Sequence, residues 1–230
     1  MLVTHRSDIR RFWREEGQAL IAELPPLARL AASYAPARCR HLWFGFLALD
    51  RRFAHIVASA REPMLAQMRL AWWRETLGQP VADRPAGDVL LGALAAWEDA
   101  AVLAALADGW EAMLGEAPLD AASFASLAGA RGDVVAAIGR LSGHGDEAQA
   151  GYDLGYRWAL ADVVAHLSDQ EERRAVLALH QGANRPGSPT PRAIRPAAIL
   201  DALASRGLEQ ETGPTVADFL TAVRIGIIGR

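Results

Sequence analysis

The sequence predicts an all-α fold, a helical bundle in a single domain, and three observations support this prediction. Apolar residues make up 51% of the 230 positions, and they recur at the spacing of three and four residues that is typical of helices. No stretch shows the alternation of apolar and polar residues that predicts a half-buried strand. No linker rich in proline, glycine or serine divides the middle of the chain, so we expect one domain of about ten helices over residues 1–230.

Proline residues mark the predicted helices in the first third of the chain. The first helix begins near Ser7 and ends before Pro25 and Pro26, which stop it. Pro36 and Pro63 each stand where the first turn of a helix tolerates proline, so each is expected to open a long helix. In order, the predicted helices of this part cover residues 7–24, 27–33, 36–60 and 63–78.

The remaining two thirds of the chain are predicted to contain six further helices and one long loop. The run 89–114 is too long for one straight helix, so we expect a break near Glu98 and Asp99. The segment 182–196 contains four prolines and two glycines, which predict a loop. The other helices are predicted over 121–143, 147–167, 197–205 and 215–225. Small residues around Gly132 predict a close approach of two helices, with space for a ligand as the alternative.

One acid lies on an apolar face of the helix that Pro36 opens. Asp50 stands one turn after Phe46 and one turn before Ala54, so its carboxylate points where apolar side chains point. A buried carboxylate needs a cation or a hydrogen-bond donor. The sequence therefore predicts a partner for Asp50. The apolar positions of this face are Trp43, Phe46, Leu47, Phe53, Ala54 and Val57.

Composition excludes several classes of function. The 24 basic residues are all arginine and stand against 27 acids, so the net charge of -3 offers no basic field for nucleic acid. The single Cys39 excludes an intramolecular disulfide and fits a reducing compartment. The charged N-terminus is unlike a secretory signal, and no apolar run reaches the length of about eighteen residues that spans a bilayer. We expect a cytoplasmic protein, and a basic first helix leaves peripheral contact with the inner membrane open.

Three sequence words carry a resemblance to a known family. In this order and spacing, ALDRRFAHIVA, EPMLAQMRLAWWRE and LADGWEAML resemble the squalene/phytoene synthase family, especially its short bacterial members and their mitochondrial relative in respiratory complex I assembly. The likeness extends over about residues 25–180, and residues 181–230 match only in helical character. It implies a bundle of the isoprenoid (terpenoid) synthase type with a central cavity. The tandem Trp72 and Trp73 of the middle word are expected in the core.

The resemblance also implies a reaction and its metal-binding residues. Family enzymes condense two prenyl diphosphates head to head, with Mg²⁺ held between two pairs of helical carboxylates. In this chain those four positions are Ala54, Ala58, His166 and Gln170, so all four metal-binding acids are absent. Arg51 stands where the family has its diphosphate-binding arginine. We therefore expect no metal or other cofactor in the leading hypothesis, and Mg²⁺ only if the protein is an enzyme.

Three functional hypotheses follow from the resemblance. The leading one is a non-catalytic binding or assembly factor, of the type that acts in respiratory complex I biogenesis, with a respiratory-complex subunit as its partner. The second is a prenyltransferase acting on farnesyl or geranylgeranyl diphosphate. The third is a metal-free carrier that holds a prenyl lipid in the central cavity.

The enzyme hypothesis requires an altered site built from four candidate residues. They are Asp50, Asp162 and His166, the candidate catalytic residues, and Arg51, the candidate substrate ligand. Two arginines, Arg51 and Arg157, are the expected partners of the two acids if the site is not catalytic. Asp162 and His166 are one helical turn apart and are expected to form a structural hydrogen bond. Trp158 and Phe53 are the side chains that would fill the cavity and remove both ligand-binding hypotheses.

Overall fold

A computed structural model describes residues 6–187, 189–209 and 216–229, and within these ranges the chain is helical without a strand. This confirms the all-α prediction. Short 3₁₀ turns cover Val81–Asp83, Ala112–Leu114 and Gly145–Glu147. The α-helices are α1 (Arg6–Glu15), α2 (Gln18–Glu23), α3 (Pro26–Ser33), α4 (Arg40–Ala58), α5 (Pro63–Gly78), α6 (Val89–Leu94), α7 (Ala101–Glu111), α8 (Ala121–Leu141), α9 (Ala148–Val164), α10 (Gln170–Gly182), α11 (Arg195–Glu209) and α12 (Val216–Ile228).

Two helices near the N-terminus differ from their predicted bounds. The single helix expected over residues 7–24 is interrupted at Glu16 and Gly17, which separate α1 from α2. A β-carbon at Gly17 would overlap the Trp13 ring, so the close return of the chain at this break requires glycine. The helix expected from Pro36 begins only at Arg40, because residues 36–39 form a turn in which the Pro36 carbonyl accepts from the Arg40 amide at 3.0 Å.

Later helices agree better with the prediction, with one omission. The helix α5 has its predicted bounds, and the run 89–114 divides into α6 and α7. The helix α10 was not predicted, although Asp169 caps it by accepting from the amides of Glu171 and Glu172. The predicted start of the last helix, Thr215, lies outside the described residues, as does Ser188 in the predicted loop.

The helices α8 and α9 form the centre of the bundle. They run side by side because glycines allow their backbones to meet: a β-carbon at Gly155 would lie 2.9 Å from the Gly132 Cα and 2.9 Å from the Arg131 carbonyl oxygen. The prediction of close helix approach around Gly132 is thus confirmed. The helices α7 and α11 pack against this pair, α4 packs against α6 and α7, and α5 packs mainly against α7.

The helix α8 is long and apolar enough to cross a membrane, judged by length and composition. The sequence analysis expected no segment of that kind. Most of the apolar window of α8 is buried inside the bundle, where α7 and α9 cover it. Long apolar helices are common in the cores of globular proteins, and its burial makes α8 one of these core helices.

The tandem tryptophans of α5 have different environments. Trp73 is buried and stacks edge-on against Phe53, with ring centroids 5.8 Å apart. Trp72 is 43% exposed. The prediction that both tryptophans lie in the core is therefore wrong for Trp72, because neighbouring helical positions differ by about 100° in direction and α5 has only one covered side.

Candidate functional site

Asp50 has the partner that its apolar surroundings require. Both carboxylate oxygens accept from Arg131, with Nε to Oδ1 at 2.9 Å and Nη2 to Oδ2 at 2.8 Å. The Trp110 indole N–H donates to the same Oδ1 at 2.8 Å. Asp50 is 6% exposed and Arg131 3% exposed, so this bidentate pair is removed from water. The predicted partner exists, but it is not one of the two arginines named from the sequence.

Asp162 meets the same arginine from the opposite side. Arg131 Nη1 donates to Asp162 Oδ2 at 2.9 Å, and the Asp162 side chain is 35% exposed. The guanidinium lies over the rings of Trp110 and Trp158, 5.2 Å and 4.8 Å from their centroids. These five residues, Asp50, Trp110, Arg131, Trp158 and Asp162, form what we call the Arg131 cluster. It joins α4, α7, α8 and α9 at the centre of the bundle.

Burial and charge act in opposite directions in the Arg131 cluster. Burial raises the pKa of Asp50, and the Arg131 charge and the Trp110 N–H oppose this rise. Burial alone would lower the pKa of Arg131, but the two carboxylates outweigh burial and raise it. Arg131 therefore stays protonated. The cluster carries two carboxylates and one guanidinium, so Arg131 compensates one of the two negative charges inside the protein, and the second acid, Asp162, is partly exposed to water.

The Arg131 cluster does not fit a Mg²⁺ ion. Both oxygens of Asp50 already accept hydrogen bonds, and a guanidinium stands between the two acids, where the cation would have to be. Among the described residues, no group of three or more histidine, cysteine, aspartate or glutamate side chains is arranged to hold a metal ion. The geometry suits an internal ion pair and leaves no hard oxygen ligands facing one another.

The other candidates on α4 lie away from this cluster. Arg51 is exposed and lines a surface groove of about 450 Å³, together with Ala54 and Ala58. Asp50 instead points toward α7 and α8. Ala54, which the sequence analysis placed on the same face as Asp50, is half-buried: it packs against the core and also borders the groove. We call this surface the α4 groove; it is lined by Leu20, Glu23, Leu24, Ala48, Arg51, Arg52, Ala54, His55, Ala58 and Leu90.

The candidates at the end of α9 are on the surface. His166 is exposed and its Nδ1 lies 2.8 Å from the main-chain carbonyl oxygen of Asp162. The expected hydrogen bond between these two residues is confirmed, but it involves the backbone of Asp162, since the Asp162 carboxylate binds Arg131. Gln170 is exposed at the first position of α10. The structure thus brings together Asp50 and Asp162, whereas Arg51 lines the α4 groove and His166 contacts the main chain of Asp162.

A second buried arginine joins α9, α10 and α11. Arg157 donates from Nε to Asp201 at 3.2 Å and from Nη1 to the His180 carbonyl oxygen at 3.3 Å. His180 Nε2 lies 3.2 Å from the Ser205 hydroxyl and 3.8 Å from Asp201. We call these four residues the Arg157 cluster. It is not a nucleophilic triad, because Ser205 and Asp201 meet the same ring nitrogen and a triad needs the carboxylate on the other one.

Sequence analysis missed Arg131 and Trp110. Arg131 is four residues from Leu127 and from Val135, both fully buried, so the helical period puts it on the apolar face of α8. That signal was available, since a charge on such a face needs a partner just as Asp50 does. Trp110 lies in the segment LADGWEAML, which contributed only to the family resemblance.

Comparison with known proteins adds no relative to this description. No protein-family model, curated protein or solved structure matches the chain.

Proposed function

We propose that this protein is a non-catalytic binding or assembly factor, related to the squalene/phytoene synthase family and built on a bundle of the isoprenoid synthase type. The observation that carries the proposal is the position of Arg131. Its guanidinium stands between Asp50 and Asp162, the two acids that the prenyltransferase hypothesis needs for a metal.

The chemistry of prenyl diphosphate ionisation supports the same conclusion. The leaving diphosphate needs carboxylate-bound Mg²⁺ for its developing charge. The positions that supply those carboxylates in the family hold Ala54, Ala58, His166 and Gln170, and the remaining two acids, Asp50 and Asp162, are both bound by Arg131. The resemblance to the mitochondrial relative then suggests a role in respiratory complex biogenesis, with a complex subunit as partner.

The test is an assay of diphosphate release. The purified protein is incubated with farnesyl or geranylgeranyl diphosphate, with and without Mg²⁺, and the release of diphosphate is followed. We expect no release above that of the boiled protein. Mg²⁺-dependent release that Asp50→Asn abolishes would contradict the proposal and establish the prenyltransferase hypothesis instead.

A specific observation also favours a second candidate, a metal-free carrier of a prenyl lipid. Phe53 is fully buried and Trp158 is 6% exposed, so this carrier does not use a cavity beside these two side chains. The α4 groove offers another location. It has Arg51, Arg52 and His55 for an anionic headgroup, with Glu23 as the opposing charge, and the buried side chains of Leu20, Leu24 and Leu90 form its apolar floor.

Calorimetric titration with a non-hydrolysable farnesyl diphosphate analogue separates the candidates. A carrier is expected to bind without Mg²⁺, and Arg51→Ala is expected to weaken binding about tenfold, because an arginine–phosphate contact is a charge-assisted pair. Arg69→Ala, an exposed arginine of α5 outside the groove, is the matched control and should leave affinity unchanged. Absence of binding would reject the carrier and leave the assembly factor.

A further inference from the structure

The outer side of α5 is apolar and uncovered. On its inner side Ala66, Leu70, Trp73 and Leu77 are buried in the core. On its outer side Met64 is 68% exposed, Leu65 50%, Met68 63% and Trp72 43%. We call these four residues the α5 face.

The exposed apolar residues of the α5 face are neighbours on the helix surface and form one continuous stripe. Met64, Met68 and Trp72 follow one another at intervals of four residues, so they stand one above the other along the helix. The face contains four of the seven large apolar side chains that the described residues expose. Apolar residues concentrated on one helix face mark a site of protein or membrane contact.

We propose that the α5 face binds the α5 face of a second copy of this chain, with the two helices antiparallel and the twofold axis at Met68. In this register Met68 meets the partner's Met68. Met64 and Trp72 are each four residues from the axis, so Met64 meets the partner's Trp72 on both sides of it. The register therefore forms two sulfur–aromatic contacts, which methionine and tryptophan make favourably.

The charges at the ends of α5 favour the antiparallel arrangement. Arg61 precedes α5 and Glu75 lies in its last turn; each is seven residues from Met68 and each is exposed. The salt bridges of the described residues involve neither of them. Antiparallel pairing brings the start of α5, which Arg61 precedes, next to the end of the partner's α5, which carries Glu75, on both sides of the axis. Parallel pairing would oppose like charges, and it would also align the helix dipoles unfavourably.

The same charges disfavour a lipid surface as the occupant. Exposed Arg61 and Arg69 are balanced by exposed Glu62 and Glu75 around the face. Arg74 at the side of α5 is neutralised by two acids of α7. A helix that docks on anionic lipid carries a net basic border beside its apolar face, and this border is neutral.

The size of the face sets the expected strength of the dimer. A helix of 16 residues is about 24 Å long and about 10 Å wide. Such a face is smaller than the roughly 800 Å² per partner of a standard interface. We therefore expect a reversible dimer whose population depends on protein concentration in the micromolar range.

Sedimentation velocity across that concentration range tests the proposal. Met68→Glu places two like charges on the axis and is expected to raise the dimer dissociation constant at least about a hundredfold. Gln67→Glu adds the same charge at an exposed α5 position about 100° around the helix from Met68, at the border of the stripe, and it should change the constant by less than about threefold. A protein that is monomeric throughout, or a dimer that Met68→Glu does not weaken, would overturn the proposal.

Cysteine cross-linking tests the register. Met68→Cys is expected to form a disulfide-linked dimer on oxidation, and the native Cys39 does not interfere because it is buried. Met64→Cys and Trp72→Cys should cross-link when mixed and not separately. Cross-linking of Met64→Cys with itself would show a parallel pair and contradict the proposal. Binding of the monomer to anionic vesicles that Met68→Glu abolishes would assign the α5 face to lipid and also contradict it.

Charge reversal gives a finer measurement of the same arrangement. Arg61→Glu and Glu75→Arg should each weaken the dimer several-fold, because each opposes like charges at both ends. The double variant should restore the original affinity. Failure of this rescue, in a dimer that Met68→Glu does disrupt, would contradict the antiparallel register.

Discussion

Arg131 on α8 and Arg157 on α9 are both buried, and their partners differ. Arg131 makes three hydrogen bonds of 2.8–2.9 Å to two carboxylates and lies between two indole rings. Arg157 makes longer contacts of 3.2–3.3 Å, only one of which is to a carboxylate, and Asp201 also accepts from the Ser205 hydroxyl. Similar burial thus accompanies different dependence on the arginine. Each acid has one further donor, the Trp110 N–H for Asp50 and the Ser205 hydroxyl for Asp201, but the Asp50 side chain is less exposed (8% against 14%) and receives two hydrogen bonds from its arginine where Asp201 receives one.

The largest expected effect is that of Arg131→Met. This change leaves Asp50 buried without its cation, and removing one partner of a buried ion pair costs about 3–5 kcal/mol of unfolding free energy. Urea denaturation at neutral pH measures the loss. The double variant Asp50→Leu with Arg131→Met removes both charges and is expected to recover most of it. A loss below about 1 kcal/mol for Arg131→Met would contradict the central role of the pair.

The pH dependence of Arg131→Met sharpens the same comparison. Burial raises the pKa of Asp50, and without Arg131 nothing of comparable strength opposes that rise. The folded state then binds the Asp50 proton more tightly than the unfolded state does. Its unfolding free energy should therefore fall, relative to the wild type, as pH rises above the ordinary range of an aspartate. Denaturation at acidic and alkaline pH measures this, and a defect that stays constant would contradict it.

Arg157→Met should cost less, about 1–3 kcal/mol. Asp201 is 14% exposed and keeps the Ser205 hydroxyl as a donor, so its charge is not stranded. The measurement is the same urea titration, run beside Arg131→Met under one set of conditions. If the two variants lose equal stability, the difference between the clusters has no energetic meaning.

The smallest effect is expected for Asp162→Asn, at most about 1 kcal/mol. The Asp162 side chain is 35% exposed, and an asparagine amide oxygen can still accept from Arg131 Nη1. Thermal unfolding is sensitive enough to compare it with the wild type. A loss as large as that of Arg131→Met would mean that both acids, and not mainly Asp50, depend on the arginine.

Local features, such as helix bounds and the requirement of a buried acid for a partner, were predicted better than the identity of that partner. The bounds of α5 follow from Pro63 and Gly78, which act locally. The need of Asp50 for a partner follows from its helical position, but Arg131 is 81 residues away and no local rule connects them. Arg157, one of the two arginines named as expected partners, binds Asp201 of α11 instead. Separation along one helix does not decide which side chains meet across several helices.

The sequence patterns also did not predict which way each side chain of α5 points or how side chains pack in the interior. The helix α5 has large apolar residues on both its inner and its outer side, so periodicity does not distinguish the buried Trp73 from the exposed Trp72. The central cavity came from the resemblance alone, and no pattern of residues predicted whether side chains would fill it. Arg131, Trp110 and Trp158 pack around Asp50, and they come from three different helices, α8, α7 and α9.

The contact of Gly132 with Gly155 bears on the order in which the chain folds. The helices α8 and α9, which carry these two glycines, follow one another in the chain and are joined by a short turn. Their hairpin therefore forms at a small loop-closure cost. Asp50 must then arrive from a distant part of the chain. We expect the ion pair to form after the main barrier, so that Arg131→Met accelerates unfolding and leaves the folding rate nearly unchanged. Stopped-flow kinetics in urea would contradict this order if the folding arm slowed instead.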